Sequence, residues 1–314
     1  MRILVLGAGG TGGYFGGRLA QAGLDVTFLV RPARAAQLAA DGLVIRSPLG
    51  DARFPVRHAT AEQLPALAAA RPFELVLLSC KAYDLDDSIE AIAPAMGEGT
   101  AVLPILNGLR HYAALDARFG AGRVLGGLCF ISATRNARGE VLHLGKPASV
   151  TFGERAGEPY SARCRAIDAA FAAAKVDHLL AERIQQELWT KFAFLAALAA
   201  GTCLMRAAVG DVVAADGGRD FMERFYRECL AVAAADGWPV PEEAQRRALE
   251  TLTQPGSPLT ASMLRDLEAG QRIEGAHIVG DLLRRARAAG LPSPLLALAW
   301  CHLQAYELRR RRDG

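Results

Sequence analysis

The chain has six cysteines, at positions 80, 129, 164, 203, 229 and 301, none in a C-x-x-C pair and none beside a histidine at zinc-ligand spacing. With 314 residues it has no need of disulfide staples, so the thiols are expected to be buried and reduced. Six histidines, at 58, 111, 143, 178, 277 and 302, form no spaced cluster; they read as surface or packing residues, and no metal is expected. A surplus of one charge is missing as well. Thirty-six basic residues face 33 acidic ones, and the balance of +3 is nearly accounted for by the run Arg309 to Arg312, so nucleic acid is not an expected partner. Long apolar runs are also absent: Phe192 to Met205, the longest, has 14 residues, where a bilayer crossing takes about 20. It reads as a core helix, and no membrane association is expected. Met1 to Gly7 carries one cation and a very short apolar run, too little for a signal peptide, and the expected location is the cytoplasm.

What is present is enough apolar sequence, 51% of residues, to bury a large core in two domains. Ile3 to Leu6 is a short apolar run ending in glycines, as a strand buried on both faces does, and Tyr14 to Ala22 reads as helical. Leu24 to Val30, Phe73 to Ser79 and Ala101 to Leu106 read as further strands, with helices expected at Asp84 to Ala93 and Arg110 to Phe119. Alternating strand and helix predicts a parallel, doubly wound sheet. Leu128 to Thr134, Val141 to Leu144 and Ser149 to Phe152, around a polar turn at Asn136 to Gly139, are expected to be antiparallel strands closing the edge of that sheet. Beyond Ile184 only helical patterns remain: Gln185 to Leu204, Gly218 to Ala235, Pro241 to Leu252, Ser262 to Ala289 and Pro294 to Arg312. The expected class is α/β, with a Rossmann-type dinucleotide-binding domain over residues 1–182 and an all-α domain over 183–314. The apolar helices of the second domain leave room for a homodimer.

Gly7-Ala8-Gly9-Gly10-Thr11-Gly12 is a G-x-G-x-x-G between the first strand and the first helix, the context that gives the pattern meaning. Its first glycine allows a tight turn, its second admits a diphosphate to the backbone amides, and its third lets helix pack on strand. The helix N-terminus adds partial positive charge. Where NAD-selective versions carry an acid at the end of the second strand, this chain reads Phe28-Leu29-Val30-Arg31-Pro32-Ala33-Arg34. A guanidinium there suits a 2′-phosphate that a carboxylate would repel, so the expected cofactor is NADPH/NADP.

Only four of the basic residues are lysines, at 81, 146, 175 and 191. Arginine cannot release its proton at working pH and lysine can, so proton donation is one reason to keep a lysine in a chain that otherwise uses arginine. Lys191 leads into the apolar helix Phe192 to Met205. The chain resembles the ketopantoate reductases over nearly its whole length. The resemblance is carried by Gly7 to Gly12 with Arg31, by Leu78-Ser79-Cys80-Lys81-Ala82-Tyr83, by Leu106-Asn107-Gly108, by Glu187-Leu188-Trp189-Thr190-Lys191, and by the stretch from Ser262 through Glu274 to Ala286.

The resemblance implies NADPH-dependent reduction of 2-dehydropantoate to pantoate, a step toward pantothenate and coenzyme A. It implies that Lys191 protonates the 2-keto oxygen and that Glu274 hydrogen-bonds the new hydroxyl and helps to hold the lysine. Asn107 and Lys81 would contact the cofactor, Asn107 also the substrate, and Ser262 the substrate's carboxylate end. Read without the resemblance, Asn107-Gly108 is a turn, Glu274 a helix-surface acid and Ser262 a helix N-cap. The family's catalytic helix has asparagines four and eight residues after its lysine, where this chain has Leu195 and Ala199. Thr202, about 20° from Lys191 in helical projection, is a candidate to restore one substrate-binding hydroxyl, its alternative being a bond back to its own helix. Two other functions remain open: a reductase of another small 2-keto acid, which Leu195 and Ala199 favour, and a non-catalytic NADPH-binding sensor.

Overall fold

The computed structural model describes residues 1–313, which divide into two units: Met1–Leu106 with His111–Ile184, and Asn107–Arg110 with Gln185 onward. The division falls two residues after the expected boundary, and Asn107–Arg110, which follow the strand at Ala101 after two intervening residues, belong with the helices rather than with the sheet they leave.

In the first unit the strands are β1 (Arg2–Leu6), β2 (Asp25–Leu29), β3 (Leu43–Arg46), β4 (Ala52–Phe54), β5 (Arg57–Ala59), β6 (Leu75–Leu78), β7 (Ala101–Pro104), β8 (Gly126–Arg135), β9 (Val141–Gly153) and β10 (Asp177–Leu180). The helices between them are α1 (Gly10–Gln21), α2 (Pro32–Asp41), α3 (Leu64–Ala70), α4 (Leu85–Ile92), α5 (His111–Phe119) and α6 (Ala162–Ala173). One sheet runs β5-β2-β1-β6-β7, all parallel. Its strand order reverses at β1, with β2 on one side and β6 on the other, so the carboxyl end of β1 is the crevice where an open α/β sheet binds ligands. β1 and β6 are buried on both faces, which explains their unbroken apolar runs.

The strands after Val124 do not close that sheet. They build a second one, β10-β9-β3-β4, with β8 antiparallel to β9. The two strands expected at 141–144 and 149–152 are one, β9. Its apparent break is real in a different sense, because Ile131 pairs with Ala148 and Ala133 with His143, leaving Leu144 to Pro147 opposite the single residue Ser132. Helix α1 lies against both sheets. A Cβ on Gly16 would stand 2.8 Å from Val5 Cγ2, and one on Gly17 would stand 2.7 Å from Ile45 Cδ1. These glycines cost intrinsic helix stability, roughly 0.5 to 1 kcal/mol each against alanine, and in exchange both sheets come within contact of one helix.

The second unit comprises α7 (Ile184–Met205), α8 (Val209–Ala214), α9 (Gly218–Ala235), α10 (Glu242–Leu252), α11 (Ser262–Glu268), α12 (Asp281–Ala288) and α13 (Pro294–Asp313). At 22 residues α7 is longer than its apolar run, long and apolar enough to cross a membrane, but most of it is buried within the protein. Ala193, Ala196, Ala197, Ala199, Ala200 and Cys203 are all fully buried. Small residues on every side allow neighbours to pack all round it there, so beyond Lys191 α7 has no polar face to show. The expected helix from Ser262 to Ala289 is broken. After α11 the chain turns at Gly270, with φ +69°, and re-enters helix through a π-helical segment, Ala276–Gly280, that runs into α12. The break takes Glu274 off any helix surface.

Tyr112 of α5 completes the edge of β8. Its hydroxyl accepts from Gly127 N at 3.0 Å and lies 3.3 Å from Gly127 O, and the ring carries the Arg155 guanidinium 4.8 Å above it. Removing the hydroxyl strands two buried backbone groups, at about 1 to 3 kcal/mol. Tyr112→Phe should therefore lower the urea midpoint of unfolding by a corresponding amount, and an unchanged midpoint would show that β8 does not rely on this bond.

Candidate active site

The first unit carries the glycine loop at the carboxyl end of β1. Gly7 has φ +86°, where other residues are strained, and its N–H donates to Leu29 O at 2.9 Å, fastening the turn to β2. Helix α1 begins at Gly10 with no side-chain cap and no acid in its first turn, so its leading N–H groups are free of competing side chains. A Cβ on Gly12 would collide with Ser79 Oγ, which donates to Leu6 O at 3.0 Å; here close packing requires glycine. At Gly9 a Cβ would meet nothing within 4 Å. The protein leaves open the space above the loop's second glycine, beside the half-buried Thr11, and uncapped N–H groups with room in front of them fit a diphosphate.

The two arginines after β2 part company. Arg31 precedes α2 with its side chain 83% exposed, its nearest carboxylate Asp84 at 4.0 Å. Arg34 turns inward, Nη2 donating to Ala8 O at 3.0 Å and Nη1 to Gln37 Oε1 at 2.7 Å. Arg34 thus holds the loop itself. Lys81 is half-buried after β6, preceding a single helical turn over Ala82–Asp84.

In the helical unit Lys191, on the second turn of α7, donates from Nζ to Asn107 Oδ1 at 3.1 Å. Asn107 is half-buried, and its neighbour Gly108 has φ +79° with His277 packed so close that a Cβ would stand 2.8 Å from His277 Cδ2. Glu274 is buried, 7% exposed, and its carbonyl accepts from His277 N and Ile278 N as the π-helical segment starts. A carboxylate in this place is no surface acid. Burial pushes the His277 imidazole down to about 4, with Arg110 acting the same way and Asp281 against it. Asp281, one turn on and fully buried, accepts from Arg284 at 2.7 Å and from Arg285 at 2.9 Å. Arg285 also reaches Asp236 at 3.1 Å and lies 5.3 Å from the Trp189 ring centroid, two residues before Lys191.

Ser262 is half-buried in the first turn of α11, and Ala261, not Ser262, is the N-cap. The substrate role expected of Thr202 is corrected: the residue is fully buried and its hydroxyl donates to Leu198 O at 2.7 Å, within its own helix. Ala199 is fully buried as well, while Leu195 is half-buried. Sequence reasoning overlooked His277 as a partner of the Asn107 turn and missed the arrangement around Asp281. The spacing of His277, Asp281 and Arg285 at i, i+4 and i+8 on one helical face was the available signal. Among the described residues no group of three or more His, Cys, Asp or Glu is placed to hold a metal ion.

Comparison with known proteins extends this picture. The family described as ketopantoate reductase PanE/ApbA matches residues 3–157, and its C-terminal counterpart matches residues 183–307. The chain is 37% identical to an uncharacterized oxidoreductase, YkpB, of Bacillus subtilis, over 99% of this chain and 100% of that one. It is 30% identical to a 2-dehydropantoate 2-reductase of Halobacterium salinarum, covering 94% and 95% of the two. Among solved structures, a 2-dehydropantoate 2-reductase from Geobacter metallireducens superposes with a TM-score of 0.87 at 30% identity, covering 97% and 99%.

The buried His277 predicts a particular pH response. Its folded-state pKa of about 4 lies below the 6.5 of an unperturbed histidine, so between those values the unfolded chain takes up a proton that the folded chain refuses. Its contribution to stability is complete above pH 6.5 and falls as the pH drops toward 4, by at most about 1.4 kcal/mol per unit. Urea unfolding of wild type and His277→Gln at pH 7 and pH 5 should show the variant losing less stability on acidification. Equal losses would contradict the assignment.

Proposed function

The chain belongs to the ketopantoate reductase family, and on that footing we propose that it is an NADPH-dependent reductase of a small 2-keto acid, with 2-dehydropantoate as substrate and pantoate as product. The observation that carries this reading is the hydrogen bond from Lys191 Nζ to Asn107 Oδ1. It leaves the remaining ammonium protons of a lysine directed by a fixed neighbour and not free in solvent, which is what proton donation to a carbonyl oxygen requires.

The nucleotide, when bound, supplies the hydride. The chain's own residues do the rest. The first-turn amides of α1, Gly10 to Gly12, hold the diphosphate through their N–H groups, with Gly7 and Gly9 giving the backbone its turn and its clearance. Arg31, exposed at the end of β2, offers its guanidinium fork to a 2′-phosphate, and Lys81 adds a second cation to the nucleotide. Lys191 donates the proton to the 2-keto oxygen. Asn107 orients that lysine and contacts cofactor and substrate, and Glu274 accepts a hydrogen bond from the hydroxyl that forms. Ser262 binds the carboxylate end of the substrate.

A second reading, reduction of a different small 2-keto acid, is favoured by Leu195. It is half-buried, one turn after Lys191, and gives an apolar surface where the family has an amide. A site that pairs a substrate hydroxyl discriminates strongly through it, whereas an apolar replacement accepts a less polar tail.

With NADPH consumption as the readout, Lys191→Ala should lower kcat by roughly 10²- to 10⁴-fold while NADPH affinity and thermal stability stay near wild type. Full activity in that variant would remove the proton-donor role. Arg31→Ala should raise KM for NADPH several-fold more than KM for the keto acid, and an unchanged KM for NADPH would remove the 2′-phosphate role.

A further inference from the structure

Positive charge gathers around the glycine loop beyond what Arg31 supplies. Arg34 is nine-tenths buried, and while its two terminal nitrogens are bonded to Ala8 O and Gln37, its Nε is buried without a hydrogen-bond partner. Burial first, and then the charge of Arg135, hold this guanidinium below the ordinary arginine range. Arg135 is the last residue of β8 and is exposed.

The hairpin between β8 and β9 meets α1 and α2 at one point each. On α1, the Ala133 carbonyl and Thr134 Cα press on Gly10, where a Cβ would come within 2.6 Å and 3.0 Å of them. On α2, Gln37 Nε2 donates to Arg138 O at 2.8 Å. The turn is closed on itself by Asn136, which donates to Glu140 Oε2 at 2.7 Å and accepts from Glu140 N at 2.9 Å. Glu140, the hairpin's acid, is occupied by Asn136, Arg46 and Arg138. Among the described residues no carboxylate is paired with Arg34 or Arg135. Arg34 and Arg135 carry like charge with no acid paired to either, and an anion received beside Arg135 offsets their repulsion.

We infer that Arg135 is a nucleotide-binding residue, carried by the β8–β9 hairpin to the adenosine 2′-phosphate, where it acts together with Arg31 while Arg34 fixes the Ala8 carbonyl beneath them. The placement follows from the fold: Arg31 and Arg34 flank the start of α2 at the carboxyl end of β2, the position of the adenosine ribose in a dinucleotide-binding sheet, and the hairpin is latched to that same helix. The second sheet thereby contributes to cofactor choice, which the first sheet alone decides in simpler arrangements. The inference rests on the NADPH reading proposed above.

The test is direct binding, measured by calorimetry with NADPH, NADH and adenosine 2′,5′-bisphosphate on wild type and Arg135→Ala, together with thermal melting of the ligand-free proteins. Loss of one charge-assisted contact should raise Kd for NADPH and for the bisphosphate about tenfold and leave Kd for NADH unchanged. The ligand-free variant should melt at or above the wild-type temperature, because a repulsion on Arg34 has been removed. An unchanged Kd for NADPH, or equal weakening of NADPH and NADH, would overturn the role. A wild type that binds NADH as tightly as NADPH would instead remove the cofactor reading on which the inference stands.

Discussion

The hydrogen bond between Lys191 and Asn107 is the constraint on which the helical unit's arrangement turns. Asn107 to Arg110 follow directly from the strand region of the first unit, yet they pack with the helices, and what makes this possible is backbone geometry. Gly108 adopts a positive φ and lets His277 approach to a distance no side chain would allow. His277 is in turn set by the π-helical segment that begins at Glu274, and by Asp281, whose charge is neutralised by two arginines. Arg285 then returns to Trp189, on the same helix as Lys191. Apart from the exposed Arg284, each member of this chain is buried or half-buried, so a shift in one is transmitted as packing strain rather than absorbed by solvent.

The first unit depends on an omission of side chains. Helix α1 carries glycines where it meets β1, β2, β3 and β9, and so serves as the shared core of two sheets while keeping its N-terminus open in front of the loop. The cost in helix propensity is set against contacts with Val5, Phe28, Leu43 and Ile45. The same geometry brings the second sheet's hairpin to the loop.

Most of the fold was legible in the sequence because burial writes itself plainly there. The apolar runs of β1, β6 and β7 and the long patterns of α7, α9 and α13 stand out against their surroundings, and the glycine loop sits where its motif has meaning. The second sheet was not legible. Strands such as β3, β4 and β10 have only three or four residues, and β9 carries an irregularity at Gly145 to Pro147 that looks like an end. The break between α11 and α12 was hidden for a different reason: residues on either side continue a helical pattern, and only the buried position of Glu274 discloses that the chain has turned. Lys191, Asn107 and Glu274 entered as candidates through resemblance, whereas helical projection left Thr202 with two readings, and only the burial of its side of α7 favours the bond back to Leu198 O. His277 was passed over although its i, i+4 and i+8 spacing with Asp281 and Arg285 was there to read, and Arg135 because a hairpin arginine carries no motif.

Product analysis tests the reductase reading most directly: wild-type protein incubated with NADPH and 2-dehydropantoate, alongside 2-keto acids that lack its hydroxyl, with NADPH consumed and hydroxy acid formed measured together. One hydroxy acid is expected for each NADPH oxidised, with pantoate formed at the highest kcat/KM. Tight NADPH binding without turnover of any 2-keto acid would contradict that reading.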